Sequence, residues 1–277
     1  MEDCLLTNFI FNKEIKSCCD FNQFEFQDNL IVYEVLMVIE GTPLFLEEHI
    51  ERFFKSLELN KLNVTISKRQ IKSRLRALIE INKLSKGNIK FQLAYNVDGI
   101  STFYAWVSPY FYPSKSQYNL GVDCSFYLKQ RTMPNAKLWL HTLKEGTSTE
   151  INTKNVFEVI LYNERDEISE GSKSNLFFIK NNILYTAPNT TVLQGITRSK
   201  IFDICNKLDI QIVQKSIIRN EIMDFETAFL SGTSIKLLSI KSLGNISFKT
   251  NSQILKLLTI EYEELIKTNL INFVWNL

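Results

Sequence analysis

The sequence predicts an α/β (α+β) chain in two domains, on three observations. Stretches with strand period and stretches with helix period interleave along the whole length, the pattern of strands packed against helices. The segment Pro109 to Gln117 (PYFYPSKSQ), rich in proline and polar residues, divides that pattern in two. At 277 residues the chain is long enough to bury two cores of ordinary size. The boundaries expected are 1–111 for an N-terminal domain, 112–119 for a linker and 120–277 for a C-terminal domain.

Composition excludes several classes. Hydrophobic residues at 45% and charged residues at 22% are globular values. A net charge of +2 argues against an electrostatic nucleic-acid binder. No apolar run approaches about eighteen residues, so no membrane span is expected. The first residues, MEDCLLTNFIFNKEIK, lack a signal-peptide pattern. Five cysteines (Cys4, Cys18, Cys19, Cys124, Cys205) without C-x-x-C spacing read as reduced thiols of a cytoplasmic protein. His49 and His141 are too isolated for a zinc site, so no metal is expected.

In the first half, residues 5–12 (LLTNFIFN) and 31–39 (IVYEVLMVI) read as strands, with Gly41-Thr42-Pro43 as a turn. Leu46 to Leu59 reads as a helix: Phe45, His49, Phe53 and Leu57 recur at helical spacing, and Glu47 and Glu48 suit its first turn. Ser67 caps the next helix, whose apolar face is Ile71, Leu75, Leu78 and Ile79. Its Lys68, Arg69, Lys72, Arg74 and Arg76 read as a solvated face. Ile89–Tyr95 and Thr102–Val107 read as a strand pair.

In the second half, Leu120–Leu128 reads as a strand and a helix is expected near Lys137. Phe157–Tyr162 is a strand leading into Glu170-Gly171-Ser172-Lys173-Ser174-Asn175. Two short strands, LFFI and ILYT, flank an Asn181-Asn182 turn. Gly195 opens a helical pattern from Thr197 to Leu208, with Thr197 a plausible N-cap. A helix start preceded by glycine is a natural anion site. Ser231-Gly232-Thr233-Ser234 is a small-residue turn. Asn251 can cap a last helix with Ile254, Leu257, Leu258, Tyr262, Leu265 and Ile266 inward. By local features alone, residues 170–198 also read as a hairpin followed by a capped helix.

The ordered string says more. A Glu, a small residue two on, an Asn at five on, an apolar-aromatic pair, an apolar-x-Thr and an apolar-x-Gly-apolar-x-basic ending at Arg198 together resemble the signature of the class IV aminotransferases, enzymes of fold-type IV that use pyridoxal 5'-phosphate (PLP). Val32-Tyr33-Glu34-Val35, Gly41 and Phe45 to Arg52 are similar to the family's N-terminal block.

The resemblance implies a two-domain, D-amino-acid aminotransferase-like fold and a set of roles. Lys137, thirty-three residues before Glu170, matches the lysine whose primary amine bonds the PLP aldehyde and shuttles the substrate proton. Lys129 and Lys144 fit the spacing worse. Glu170 would pair with the pyridine nitrogen, so that the ring accepts electrons. Arg52 would bind the phosphate, since a guanidinium donates several fixed hydrogen bonds and stays charged. Ile196 and Thr197 would hold the phosphate at the helix start, and Thr233 and Ser234 match a second phosphate turn. Tyr33, Tyr95 and Ser234 are the expected substrate contacts. Taken alone, without the resemblance, Arg52 reads as a helix-surface arginine and each lysine as a surface lysine.

The implied activity is amino-group transfer between an amino acid, apolar or branched-chain, and a 2-oxo acid, in a cytoplasmic homodimer. Tyr33 and Tyr95 offer a modest apolar pocket and no cation for a second carboxylate, which favours this over the related 4-amino-4-deoxychorismate lyase. The chain departs from the family's pattern in five places: Gln27-Asp28-Asn29 replaces a Gly-Asp-Gly, the loop before Lys137 is shorter, Thr142 replaces a tyrosine, Ser239 a proline, and Tyr95 a strand arginine. These departures leave a PLP-binding protein without catalysis as a third reading.

Overall fold

The computed structural model describes residues 3–23, 30–110 and 112–277. The Gln27-Asp28-Asn29 departure and the boundary residue 111 lie outside the described residues. The backbone divides into two compact units. The first comprises 1–111, 136–139 and 266–277; the second comprises 112–135 and 140–265.

The first unit is built on an antiparallel sheet of β1 (Leu5–Phe11), β2 (Glu14–Ser17), β3 (Leu30–Ile39), β4 (Thr42–Pro43), β5 (Lys86–Tyr95) and β6 (Ser101–Ser108), in the order β2-β1-β6-β5-β3-β4. Two helices follow β4, α1 (Leu46–Leu59) and α2 (Lys68–Ile81). Ser67 caps α2 through a full capping box with Gln70, as its sequence predicts. Alternation gives the sheet two different faces. One carries Glu34 and Phe91 toward α1, where Phe91 meets Phe53 at 5.1 Å. The other carries Ile31, Ala94, Tyr104 and Trp106, with Tyr33 and Trp139 packed against them. Residues 137–139 extend the sheet along β3: Tyr33 N donates to Lys137 O (3.2 Å) and Trp139 N to Ile31 O (3.0 Å).

In the second unit the expected linker is partly helical. Ser114 forms a capping box with Gln117 and starts α3 (Lys115–Leu120), so two prolines upstream do not prevent a helix downstream. A mixed sheet then runs in the order β12-β11-β10-β14-β15-β7-β8-β9-β13, with β16 on β15. Its strands are β7 (Val122–Leu128), β8 (Glu158–Tyr162), β9 (Glu167–Gly171), β10 (Asn175–Lys180), β11 (Ile183–Thr186), β12 (Ile212–Gln214), β13 (Ile217–Ile218), β14 (Thr227–Gly232), β15 (Lys236–Leu243) and β16 (Ile246–Ser247). β7 and β8 are parallel, joined through α4 (His141–Lys154). Asn181 and Asn182 both take positive φ, 52° and 61°, and close the β10–β11 hairpin. On one face of β10, Leu176 and Phe178 enter the core; on the other, Phe177 stacks on Phe229 and meets Phe202 of α5 (Ile196–Lys207).

Three expectations change. The helix expected near Lys137 begins at His141, because residues 137–139 are extended against β3. The last helix, α6 (Gln253–Asn272), is met at its start by Ser252, whose Oγ accepts from Leu255 N, and it buries Leu255, Leu258, Tyr262 and Ile266 while leaving Leu257 exposed. The apolar stripe is therefore set one residue away from Ile254 and Leu257. Cys4 and Cys18 are bonded, because β1 and the turn after β2 bring their Cα atoms to 5.8 Å. The expectation of five thiols, and its support for a cytoplasmic location, does not hold; Cys19, Cys124 and Cys205 are free. Among the described residues no helix is long and apolar enough to cross a membrane.

Candidate active site

In the first unit the arrangement starts from Glu34, a charged residue in the apolar run of β3 and fully buried. Arg52 Nε and Nη2 reach its two oxygens at 2.7 and 2.8 Å, and His49 Nδ1 lies 2.8 Å from Oε2. Burial alone would raise the Glu34 pKa, but the Arg52 guanidinium and His49 outweigh it and hold the carboxyl down to about 2. His49 is lowered, by burial first, with the Arg52 and Lys137 cations adding to it against Glu34.

One turn along α1, Ser56 Oγ donates to Arg52 O (2.9 Å) and accepts from Lys137 N (3.1 Å). A single hydroxyl thus ties the expected reactive lysine to the helix that carries the expected phosphate arginine. Lys137 Nζ stands 4.8 Å from the centre of the Tyr33 ring. Tyr33 packs edge-on against Trp139 at 5.4 Å.

Tyr95 is not brought to this group. It belongs to the sheet face turned toward the helices, opposite in phase to Tyr33, and its hydroxyl donates to Asn63 O at 2.7 Å. The expectation that the Tyr33 face offers no cation also fails. Lys90, buried on β5, sets its Nζ 3.5 Å from the Trp139 ring centre and 4.8 Å from that of Tyr33.

In the second unit the signature folds into one cluster. Glu170 is buried, and its Oε2 accepts from Asn175 Nδ2 (3.2 Å) and Leu193 N (3.1 Å). Arg131 Nε stands 2.9 Å from Oε1 as an ion pair, while its Nη2 donates to Ser172 O at 2.7 Å. Asn175 Nδ2 also donates to Leu193 O (2.8 Å). A Cβ on Gly195 would lie 2.2 Å from Asn175 Oδ1, so Asn175 in this place leaves no room for a side chain at 195. Glu158, buried one strand away, shapes the intervening loop by accepting from Ser172 Oγ at 2.6 Å.

Gly195, not Thr197, occupies the cap position of α5, and no side chain caps that start. The chain enters the helix extended at Gly195, so Ile196 and Thr197 fall in its first turn. Thr197 Oγ1 meets Tyr262 Oη at 3.2 Å, and burial pushes the Tyr262 phenol up to about 12. Arg198 is buried and donates to Thr186 Oγ1 (2.5 Å), Ala187 O (2.8 Å) and Asn189 Oδ1 (3.1 Å). Burial lowers it to about 10, against the nearby Glu170 charge. Thr233 and Ser234 lie in the β14–β15 turn, and the register pairs Ser231 with Asn175, the residue that touches Glu170.

The sequence reading missed Arg131, Glu34, Ser56 and Lys90. A carboxylate in an apolar strand signals a buried cation partner, which points from Glu34 to Arg52 and from Glu170 to a nearby arginine. Nothing in the spacing signals Ser56 or Lys90.

The profile of the family described as Amino-transferase class IV matches residues 31–243. The chain is 26% identical over 234 residues to a D-alanine aminotransferase of Bacillus licheniformis, covering 79% of this chain and 80% of that one. Its fold is similar to that of the Escherichia coli branched-chain amino acid aminotransferase, with TM-score 0.84, 19% identity and 95% of each chain covered. It is also similar to a putative 4-amino-4-deoxychorismate lyase of Legionella pneumophila, with TM-score 0.78, 22% identity, and 85% and 91% covered.

Proposed function

Because this chain belongs to the class IV aminotransferase family, we propose that it binds PLP and moves an amino group between an amino acid and a 2-oxo acid. The observation that supports this reading best is the Glu170 cluster, a buried carboxylate steered by Asn175, Leu193 and Arg131 beside a helix start that no side chain caps. Those groups fit a cofactor with a ring nitrogen to protonate and a phosphate to hold. Bound there, PLP would supply an aldehyde for an amine and a ring that draws electrons from the substrate's α-carbon.

The chain's residues do the rest. Lys137 supplies the primary amine and carries the proton to and from the substrate carbon. Glu170 holds a proton at the ring nitrogen. Arg52, oriented by Glu34, holds the phosphate with Ile196, Thr197, Thr233 and Ser234. Tyr33 and Ser234 contact the substrate. Tyr95 takes no part in this reading, and Trp139 joins Tyr33 as an apolar wall.

The test is chemical. Borohydride should fix PLP to the wild type and to Lys129→Ala and Lys144→Ala, and to no residue in Lys137→Ala. An adduct surviving in Lys137→Ala overturns the assignment. Apolar amino acids should bleach the visible band of the bound cofactor, and a 2-oxo acid should restore it.

The lyase reading, elimination of pyruvate to give 4-aminobenzoate, is kept because Lys90 brings a cation to the Tyr33 face, which suits a dicarboxylic substrate. It wins if a panel of amino acids leaves the spectrum unmoved while aminodeoxychorismate yields pyruvate. A homodimer and a cytoplasmic location belong to the same proposal, checked by sedimentation and fractionation.

A further inference from the structure

We propose that Arg131 is the positioning residue that keeps Glu170 ionised, so that the cofactor's ring nitrogen, and not the carboxylate, carries their shared proton. This rests on the PLP reading above. Glu170 is 3% exposed, and a carboxylate so buried favours its neutral form unless charge compensates it. Asn175 Nδ2 and Leu193 N are neutral donors, and both serve Oε2. Arg131 brings a full positive charge to the other oxygen at 2.9 Å.

The arginine is fixed as well as charged. Its Nη2 donates to the carbonyl of Ser172, two residues beyond Glu170, so the guanidinium is anchored to the segment that carries the carboxylate. Arg198 also feels the Glu170 charge, but its own donors go to Thr186, Ala187 and Asn189.

A carboxylate and a pyridine nitrogen joined by one hydrogen bond compete for one proton, and it rests on the more basic atom. A cation beside the carboxylate makes the carboxylate less basic and leaves the proton on the ring. Without Arg131 the same proton crosses from nitrogen to oxygen, with no change in total count, and the ring becomes neutral. A neutral ring is a poorer electron sink.

The experiment loads the wild type, Arg131→Met, Arg131→Gln, Arg131→Lys and Glu170→Gln with PLP labelled with 15N at the ring nitrogen. The nitrogen chemical shift reports ring protonation directly. The wild type should show a protonated ring. Arg131→Met should move to the neutral-ring shift of Glu170→Gln, and Arg131→Lys should return most of the way to wild type. With it, kcat of Arg131→Met should fall by about two orders of magnitude, the scale of one lost preorganised charge, with KM little changed. A wild-type shift in cofactor-loaded Arg131→Met overturns the proposal. Loss of cofactor from both Arg131→Met and Arg131→Gln, with Arg131→Lys intact in every readout, marks a merely structural arginine and also overturns it. Failure of the wild type to take a borohydride-fixed PLP would instead sink the PLP reading, leaving the two failures distinct.

Discussion

Glu34 sits in the middle of an apolar strand, and its burial decides where two cations go. With Arg52 on both oxygens and His49 beside one, it forms a charge group whose carboxylate and imidazole are buried and whose guanidinium is partly exposed. Its pH consequences follow in sign. Folded Glu34 is held below its ordinary 4.5, so its contribution to stability is present above pH 4.5 and lost as pH falls toward about 2. Folded His49 is lowered from 6.5, so the unfolded chain takes up a proton first, and that contribution fades as pH falls below 6.5. Denaturant unfolding at pH values from about 3 to 7 should show stability falling in two stages, and Glu34→Gln should remove the lower one. A wild-type profile without the lower stage counts against the charge group. Arg52→Ala should weaken PLP binding by about 2–4 kcal/mol, the scale for stripping a partner from a buried charge. Unchanged PLP affinity would show that Arg52 serves Glu34 alone.

The start of α5 shows why a spaced motif was readable when single residues were not. Glu170, Asn175, Thr186, Gly195 and Arg198 are spaced along one stretch and linked by contacts: Asn175 on Glu170, Gly195 against Asn175, Arg198 on Thr186. Each pair constrains two positions, so the ordered string survives as a pattern. Strand and helix periods were equally legible, since burial imposes them on many residues at once; α1 and the Ser67 cap fall where periodicity puts them. The true cap of α5 was not legible, because glycine there reflects a close approach by Asn175 and not a capping side chain. Tyr95 was misread because one residue of strand phase reverses a side chain's face. Gly195→Ala should cost about 1–3 kcal/mol of stability through overpacking. Gly195 has φ −64°, which alanine adopts freely, so the loss would come from the contact. Adding Asn175→Ala should recover part of it, measured by a double-mutant cycle. Strict additivity would deny the contact.

At the scale of the molecule, the chain enters and leaves the first unit around the candidate lysine. Ala136 to Trp139 belong with residues 1–111, while Asn135 before them and Leu140 after them belong to the second unit. Four residues therefore complete the sheet edge of a unit whose other strands end before residue 111, held there by β3 and Ser56. This makes modularity the casualty. A chimera that keeps residues 1–119 of this protein and takes the remainder from a relative imports a foreign lysine together with the stretch that must pair with β3. Its new residues must satisfy the Ser56 hydroxyl and the Ile31 and Tyr33 backbone of a sheet they did not evolve beside. Such recombinants should show faster amide exchange at Tyr33 than this protein does, read by hydrogen–deuterium exchange, and grafting this chain's residues 136–139 back should slow it again. Parental protection in the unrepaired chimera would mean that the lysine segment docks by backbone geometry alone, and that halves of related enzymes can be shuffled at the linker without regard to where the reactive amine is carried.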